Sequence, residues 1–206
     1  MLKAGDKAPA WKLQGDDGND HSLKDFNSNS LILYFYPKDA TPGCTIEACD
    51  FRVHRASLEK KGYAVVGVSP DSVDSHQKWQ AKQRFGFLLL SDPEHKVADA
   101  YGAWGDKVLY GKKYKGIIRS TFVIDKSGTI VSAEYSVSPK GHAAAMLSQL
   151  NEQSMAREDA ENAALTKAAA KASAKAPKAP VTKAPVAKAP AAKRATKKPV
   201  AKKARA

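Results

Sequence analysis

Cys44 and Cys49 are the only thiols in a chain of 206 residues, and they lie five positions apart in Thr41-Pro42-Gly43-Cys44-Thr45-Ile46-Glu47-Ala48-Cys49. A thiol is a good nucleophile only as thiolate, and a helix N-terminus favours that negative charge. The local residues put Cys44 in such a place. Thr41 suits an N-cap, Pro42 the first helical position, and Gly43 lets a small substrate or another backbone approach closely. Cys44 then falls in the first turn, where backbone N–H groups lack helical partners.

Cys49 adds redox chemistry with a geometric condition. Positions i and i+5 of an ideal helix lie roughly 140° apart around the axis, with Cα atoms about 8.6 Å apart. A disulfide needs Cα atoms within roughly 7 Å. A Cys44–Cys49 bond therefore requires the first turns of the helix to unwind, which fits a redox cycle better than a static staple. Three plainer readings stand beside it. A metal site has only His54 nearby, against the usual four ligands. A structural disulfide runs against the geometry and the lack of a secretion signal. Two ordinary buried thiols remain the third. The five histidines (His21, His54, His76, His95, His142) are scattered without ligand spacing, and His54 reads as an ordinary helix residue. No phosphate loop, metal cluster or haem signature calls for a cofactor.

The elements that must position these thiols alternate along the chain. A β-type run at Leu31 to Tyr36 precedes the cysteine helix, which is expected from about Gly43 to Lys61. A strand at Tyr63–Ser69, a helix at Val73–Phe85 capped near Asp71 or Ser72, a short apolar strand at Phe87–Leu90 and a short helix at Glu94–Tyr101 follow. Thr121–Ile124 and Thr129–Tyr135 flank a turn at Asp125-Lys126-Ser127-Gly128 and read as a hairpin. A last helix starts near Lys140. Gly105 to Gly116 reads as a surface loop, with Trp104, Tyr110 and Tyr114 as packing residues or, second, as the lining of a substrate groove. The pattern is α/β with a mixed central sheet.

The stretch Tyr36-Pro37-Lys38-Asp39-Ala40-Thr41-Pro42-Gly43-Cys44-Thr45-Ile46-Glu47-Ala48-Cys49 closely resembles the peroxiredoxins of the PrxQ, or bacterioferritin-comigratory, type. Further matches are Gly67-Val68-Ser69-Pro70-Asp71, Leu88 to Pro93, Ala100 to Gly105 and Arg119 to Asp125, so the likeness covers about residues 3 to 150. The resemblance implies a thioredoxin-like fold and a thiol peroxidase acting on hydrogen peroxide or organic hydroperoxides. It makes Cys44 the peroxidatic cysteine and Cys49 the resolving one, with Pro37, Thr41 and Arg119 at the family's other active-site positions. It also implies an intramolecular disulfide, recycling by thioredoxin, no cofactor, and a monomer. Arg119 would favour the thiolate and hold a peroxide oxygen, Thr41 would accept from the hydroperoxide, and Pro37 would shield the sulfur from water. Spacing alone does not bring Arg119 near Cys44; that pairing rests on the resemblance.

Charge divides the chain unevenly. Residues 1–165 hold 21 Lys+Arg against 21 Asp+Glu, so the whole net charge of +13 belongs to residues 166–206, which contain no acid and no aromatic. Lys-Ala-Pro recurs there at 175–177, 178–180, 183–185 and 188–190. Such a segment cannot bury enough apolar surface to offset its ordering entropy, and its prolines block a continuous helix. The expected organisation is a peroxiredoxin domain at 1–150, an Ala-rich helical extension at 151–174, and a disordered basic tail at 175–206. Mobile cations bind phosphate backbones by releasing counterions, without base readout. The first reading of the tail is therefore a tether for nucleic acid, with anionic membrane surfaces, polyphosphate or a plain solubility role as the others, and the alternative to a plain peroxidase is a redox-sensing or DNA-protecting nucleic-acid-binding protein built on the same body. No run of about 20 apolar residues is present, so the expected location is cytoplasmic, at the nucleoid or, in a eukaryotic host, nuclear.

Overall fold

Leu31-Ile32-Leu33-Tyr34-Phe35-Tyr36 is apolar or aromatic at six consecutive positions, as a strand covered on both faces requires. The computed structural model, which describes residues 1–109 and 111–152, places this run in the interior of a seven-stranded sheet. The elements in chain order are β1 (Lys12–Gly15), β2 (Asp20–Ser22), a 3-10 turn (Leu23–Phe26), β3 (Ser30–Phe35), α1 (Pro42–Lys60), β4 (Tyr63–Ser69) and α2 (Val73–Gln83). Then come β5 (Leu88–Ser91), α3 (Lys96–Ala100), β6 (Trp104–Leu109), β7 (Lys112–Ile117), β8 (Ser120–Ile124), β9 (Ile130–Tyr135) and a helix α4 over residues 142–152. The chain divides into two units, Met1–Ala160 and Glu161–Ala206, and the described residues all fall in the first. The expected basic tail, and all but the first two residues of the expected Ala-rich extension, lie outside the described residues.

The sheet order is β2-β1-β5-β4-β3-β8-β9. β3, β4 and β5 run parallel, while β8, β9, β1 and β2 add antiparallel pairings on either side, giving the mixed sheet of a thioredoxin-like fold. Side chains alternate across β3. Ile32 and Tyr34, with Tyr36 just beyond the strand, join one core with Phe51 of α1, Trp79 of α2 and Met146 of α4. Leu31, Leu33 and Phe35 join the opposite core with Val97 and Ala98 of α3 and Phe122 of β8. Each large apolar side chain so buried contributes about 1.5–3 kcal/mol. Gly67 on β4 pairs with Tyr34, and a Cβ there would come within 2.7 Å of the Tyr34 ring, so only glycine lets that ring lie across the sheet.

Most expected elements form within two residues of their sequence boundaries. The stretch from Gly105 to Gly116 does not form a loop. It is the hairpin β6–β7, in register from Trp104↔Ile117 to Leu109↔Lys112, with Gly111 at φ 76° beside the turn. The pair stands apart from the main sheet and β7 is largely exposed, so its strands carry lysines where a buried strand would carry aliphatics. The β1–β2 hairpin leaves no expectation in the sequence because its strands are only four and three residues long, without apolar alternation.

Candidate active site

α1 starts at Pro42, with Thr41 extended before it (φ −76°, ψ 152°). Thr41 occupies the N-cap position, but its side chain does not cap. Its hydroxyl donates to the Lys38 carbonyl at 3.1 Å, across a tight loop in which Ala40 has a φ of 56°. The expected side-chain cap is thus replaced by a loop contact. The hydroxyl oxygen keeps acceptor capacity, and the Thr41 carbonyl takes the Thr45 N–H at 2.9 Å while its side chain offers the first-turn amides of α1 no acceptor.

The sheet brings Arg119 to the same place. β8 runs antiparallel to β3 with Ser120 opposite Phe35, so the residue before Ser120 lies beyond the end of β3, where the loop to α1 begins. The guanidinium forks there. Nη2 donates to the Cys44 sulfur at 3.2 Å and Nη1 donates to a Glu47 carboxylate oxygen. Cys44 is buried, and Glu47, one helical turn on, is fully buried. Burial works against the Arg119 charge, but the negative charges of Glu47 and Cys44 outweigh it and hold the guanidinium above its usual range.

Glu47 has a second partner that the sequence did not single out. Its other oxygen lies 3.0 Å from Nδ1 of His142, the first residue of α4. Four groups therefore form one chain of contacts, Cys44–Arg119–Glu47–His142, linking three parts of the sequence. Glu47 had one legible signal, a carboxylate at i+3 from the cysteine and hence on its face of the helix. His142 had none; it stands 95 residues from Glu47. His54, on α1, pairs with Asp50 at 3.5 Å on the partly exposed side of the helix, as an ordinary helix residue does.

Pro37 is half-buried and lines a cleft of about 370 Å³ with Ile118, Val137, Lys107 and Arg119. Asp106 and Ser136 complete the lining, so apolar side chains meet two cations and one carboxylate there. Of the expected groove aromatics, Trp104 stacks on His95 with ring centroids 3.8 Å apart, Tyr114 is exposed opposite Lys107, and Tyr110 lies outside the described residues. Burial lowers the Lys107 ammonium from its usual range, as does the nearby Arg119 charge, with Cys44 acting the other way.

Cys49 is half-buried against the core of α1, with its sulfur 3.9 Å from the Gln83 side-chain oxygen at the end of α2. Both thiols are free and α1 is continuous through them. Among the described residues, no cluster of three or more potential ligands could hold a metal ion, and no helix is long and apolar enough to cross a membrane.

The chain belongs to the AhpC/TSA family, whose pattern matches residues 4–133. Within that family it is a peroxiredoxin of the Bcp/PrxQ type, a class of thiol peroxidases. Peroxiredoxin Bcp of Bacillus subtilis is 46% identical over 153 residues, covering 74% of this chain and 98% of that protein. A putative peroxiredoxin bcp of Helicobacter pylori strain J99 is 48% identical over 149 residues, covering 72% of this chain and 98% of the relative. The solved structure of the Xanthomonas campestris bacterioferritin comigratory protein, studied for its alkyl peroxide reduction activity, superposes with a TM-score of 0.66 at 39% identity, covering 69% of this chain and 91% of that one.

Proposed function

We propose that Cys44 is the peroxidatic nucleophile and Cys49 the resolving thiol of a peroxidase that passes through an intramolecular disulfide. The Cys44 thiolate attacks the terminal oxygen of a hydroperoxide, the O–O bond breaks, and the alkoxide or hydroxide leaves with a proton from solvent. Cys44 becomes a sulfenic acid. The Cys49 thiol then displaces that hydroxyl as water, forming the S–S bond. An external dithiol, thioredoxin on the family resemblance, restores both thiols by exchange and is itself oxidised.

The observation that carries this reading is the forked Arg119, with one arm on the Cys44 sulfur at 3.2 Å and the other on buried Glu47. It holds a permanent charge where the thiolate and the departing oxygen need it. Thr41, through its free acceptor capacity, orients the hydroperoxide proton; Pro37, which has no N–H, walls the site. The cleft beside Pro37 and Arg119 admits the substrate from the side where Ile118 and Val137 can meet an organic group.

The basic segment, which carries the net charge of +13, acts as a separate tether for phosphate backbones and leaves peroxide chemistry to the body. The body works as a monomer. Stopped-flow peroxide reduction with mass spectrometry of the product, on the full chain and on a chain ending at Leu165, tests both parts. The expected product is a Cys44–Cys49 disulfide, with near-equal turnover in both chains. Stoichiometric peroxide leaving both thiols unmodified would refute the reading.

A further inference from the structure

Beyond Cys44 and Arg119, the contacts converge on the start of α4, whose role the peroxidase reading leaves open. His142 places Nδ1 at 3.0 Å from Glu47, and its Nε2 is buried without a hydrogen-bond partner. An N–H at Nε2 would be left unsatisfied, so the hydrogen sits on Nδ1 and donates to the carboxylate. The ring packs edge-on to Phe51, one turn further along α1, at 5.3 Å between centroids. The next residue, Ala143, donates its backbone N–H to the Asp50 carboxylate at 2.8 Å. An acidic side chain of α1 thus satisfies one of the orphan first-turn donors of α4.

Both anchors belong to the segment that must move for resolution. Glu47 lies between the two cysteines and Asp50 directly follows the second. A Cys44–Cys49 bond cannot close across wound helix, because ideal i, i+5 Cα atoms lie about 8.6 Å apart and the bond needs roughly 7 Å or less. When that turn unwinds, Glu47 leaves its position beside His142 and Arg119.

We propose that His142 is a positioning residue for the cysteine site, and that docking of α4 on α1 through His142–Glu47 and Ala143–Asp50 holds the dithiol state wound and is released when the disulfide forms. The proposal rests on the disulfide of the preceding section. His142 touches neither the sulfur nor the substrate. It acts through Glu47, which fixes the arm of Arg119 that does touch the sulfur. The linkage is reciprocal: contacts made only in the wound dithiol state stabilise that state, so removing them favours the disulfide.

The test has two measurements on the full chain. In wild type, hydrogen exchange at Ala143, Ala144 and Ala145 is expected to be at least tenfold faster in the disulfide form than in the dithiol form, with mass spectrometry confirming the bond. In H142F, equilibration against a reference dithiol is expected to move the thiol–disulfide constant about tenfold toward disulfide, or about 30 mV more negative. H142N, whose side-chain amide can replace the Nδ1 donor, is expected to recover part of that shift. Equal exchange in the two forms, or a thiol–disulfide constant within twofold of wild type in H142F, overturns the proposal while leaving the disulfide chemistry intact. The exchange comparison needs no variant, so it decides the matter even if H142F folds poorly. Absence of the Cys44–Cys49 bond in wild type overturns this proposal and the cysteine roles together.

Discussion

Arg119→Lys keeps the charge and removes the fork. In the structure, Nη2 serves the Cys44 sulfur at 3.2 Å while Nη1 serves Glu47. A lysine ammonium is a single point on a flexible stem and cannot span both. It will follow Glu47, because that carboxylate is fully buried and, with only the His142 N–H left to it, would lack a countercharge, the costlier alternative. The sulfur then loses one charge-assisted hydrogen bond. Such bonds contribute about 1.5–3 kcal/mol, and each 1.4 kcal/mol is about a factor of ten in rate, so the second-order rate with peroxide is expected to fall about ten- to a hundred-fold. Arg119→Ala is a poorer choice, because it strands the buried Glu47 and mixes a stability loss of about 3–5 kcal/mol into the rate. The assay is stopped-flow peroxide consumption by the pre-reduced protein, with thermal unfolding as a control. A rate within twofold of wild type for a folded Arg119→Lys protein would show that the fork does not serve the reaction, and the assignment of Arg119 to the site would fail.

Cys44→Ser is expected to abolish peroxide consumption, whereas Cys49→Ser permits one stoichiometric turnover to sulfenic acid and then stalls with thioredoxin; equal, mild effects from both would refute these roles. Ending the chain at Leu165 removes 13 cations, so electrophoretic shift of duplex DNA, steeply salt-dependent in the full chain, should disappear while turnover persists. Asp39→Asn removes an acceptor that serves the Tyr36 hydroxyl, Ser75 and buried His76 at 2.7–2.8 Å. A cost of about 3 kcal/mol follows, read as a melting temperature lower by roughly 6–12 °C; an unchanged melting curve would contradict the network. Gly67→Ala forces a Cβ to 2.7 Å from the Tyr34 ring and is expected to cost about 1–3 kcal/mol in chemical denaturation.

What the sequence disclosed and what it withheld divide along one physical line. β3, α1, β4 and α2 are covered by the cores on one or both faces, so their periodicity is strong and their boundaries fall close to expectation. β6 and β7 have one another for partners and water on much of their surface, so nothing in their composition separates them from a loop. The same holds at the site. Cys44, Thr41 and Pro42 are local to one helix start, and local residues announce a helix start through capping and proline preferences. Arg119 and His142 reach that start only through the sheet and the docking of α4, at separations of 75 and 95 residues. Composition and spacing carry no such pairing; for Arg119 only the family resemblance supplied it, and for His142 nothing did.

On the cysteine roles proposed above, that division also explains why the nucleophilic thiol sits where it does. The geometry requires the first turns of α1 to be wound for Arg119 to reach Cys44 and unwound for Cys49 to do so. Local residues support the start of this helix only in part: Pro42 suits its first position, but the Thr41 side chain does not cap it, Gly43 lowers its propensity, and no acidic side chain lies in its first turn. On the docking proposed above, long-range contacts through Glu47 hold the wound form, and rearrangement of that turn releases them together. A helix start with strong local signals would keep Cys44 fixed and deny it to Cys49. A start with neither local nor long-range support would leave the sulfur without its guanidinium. Weak local propensity combined with distant anchors satisfies both steps of the cycle, and it places the decisive residues where sequence reading is least able to find them.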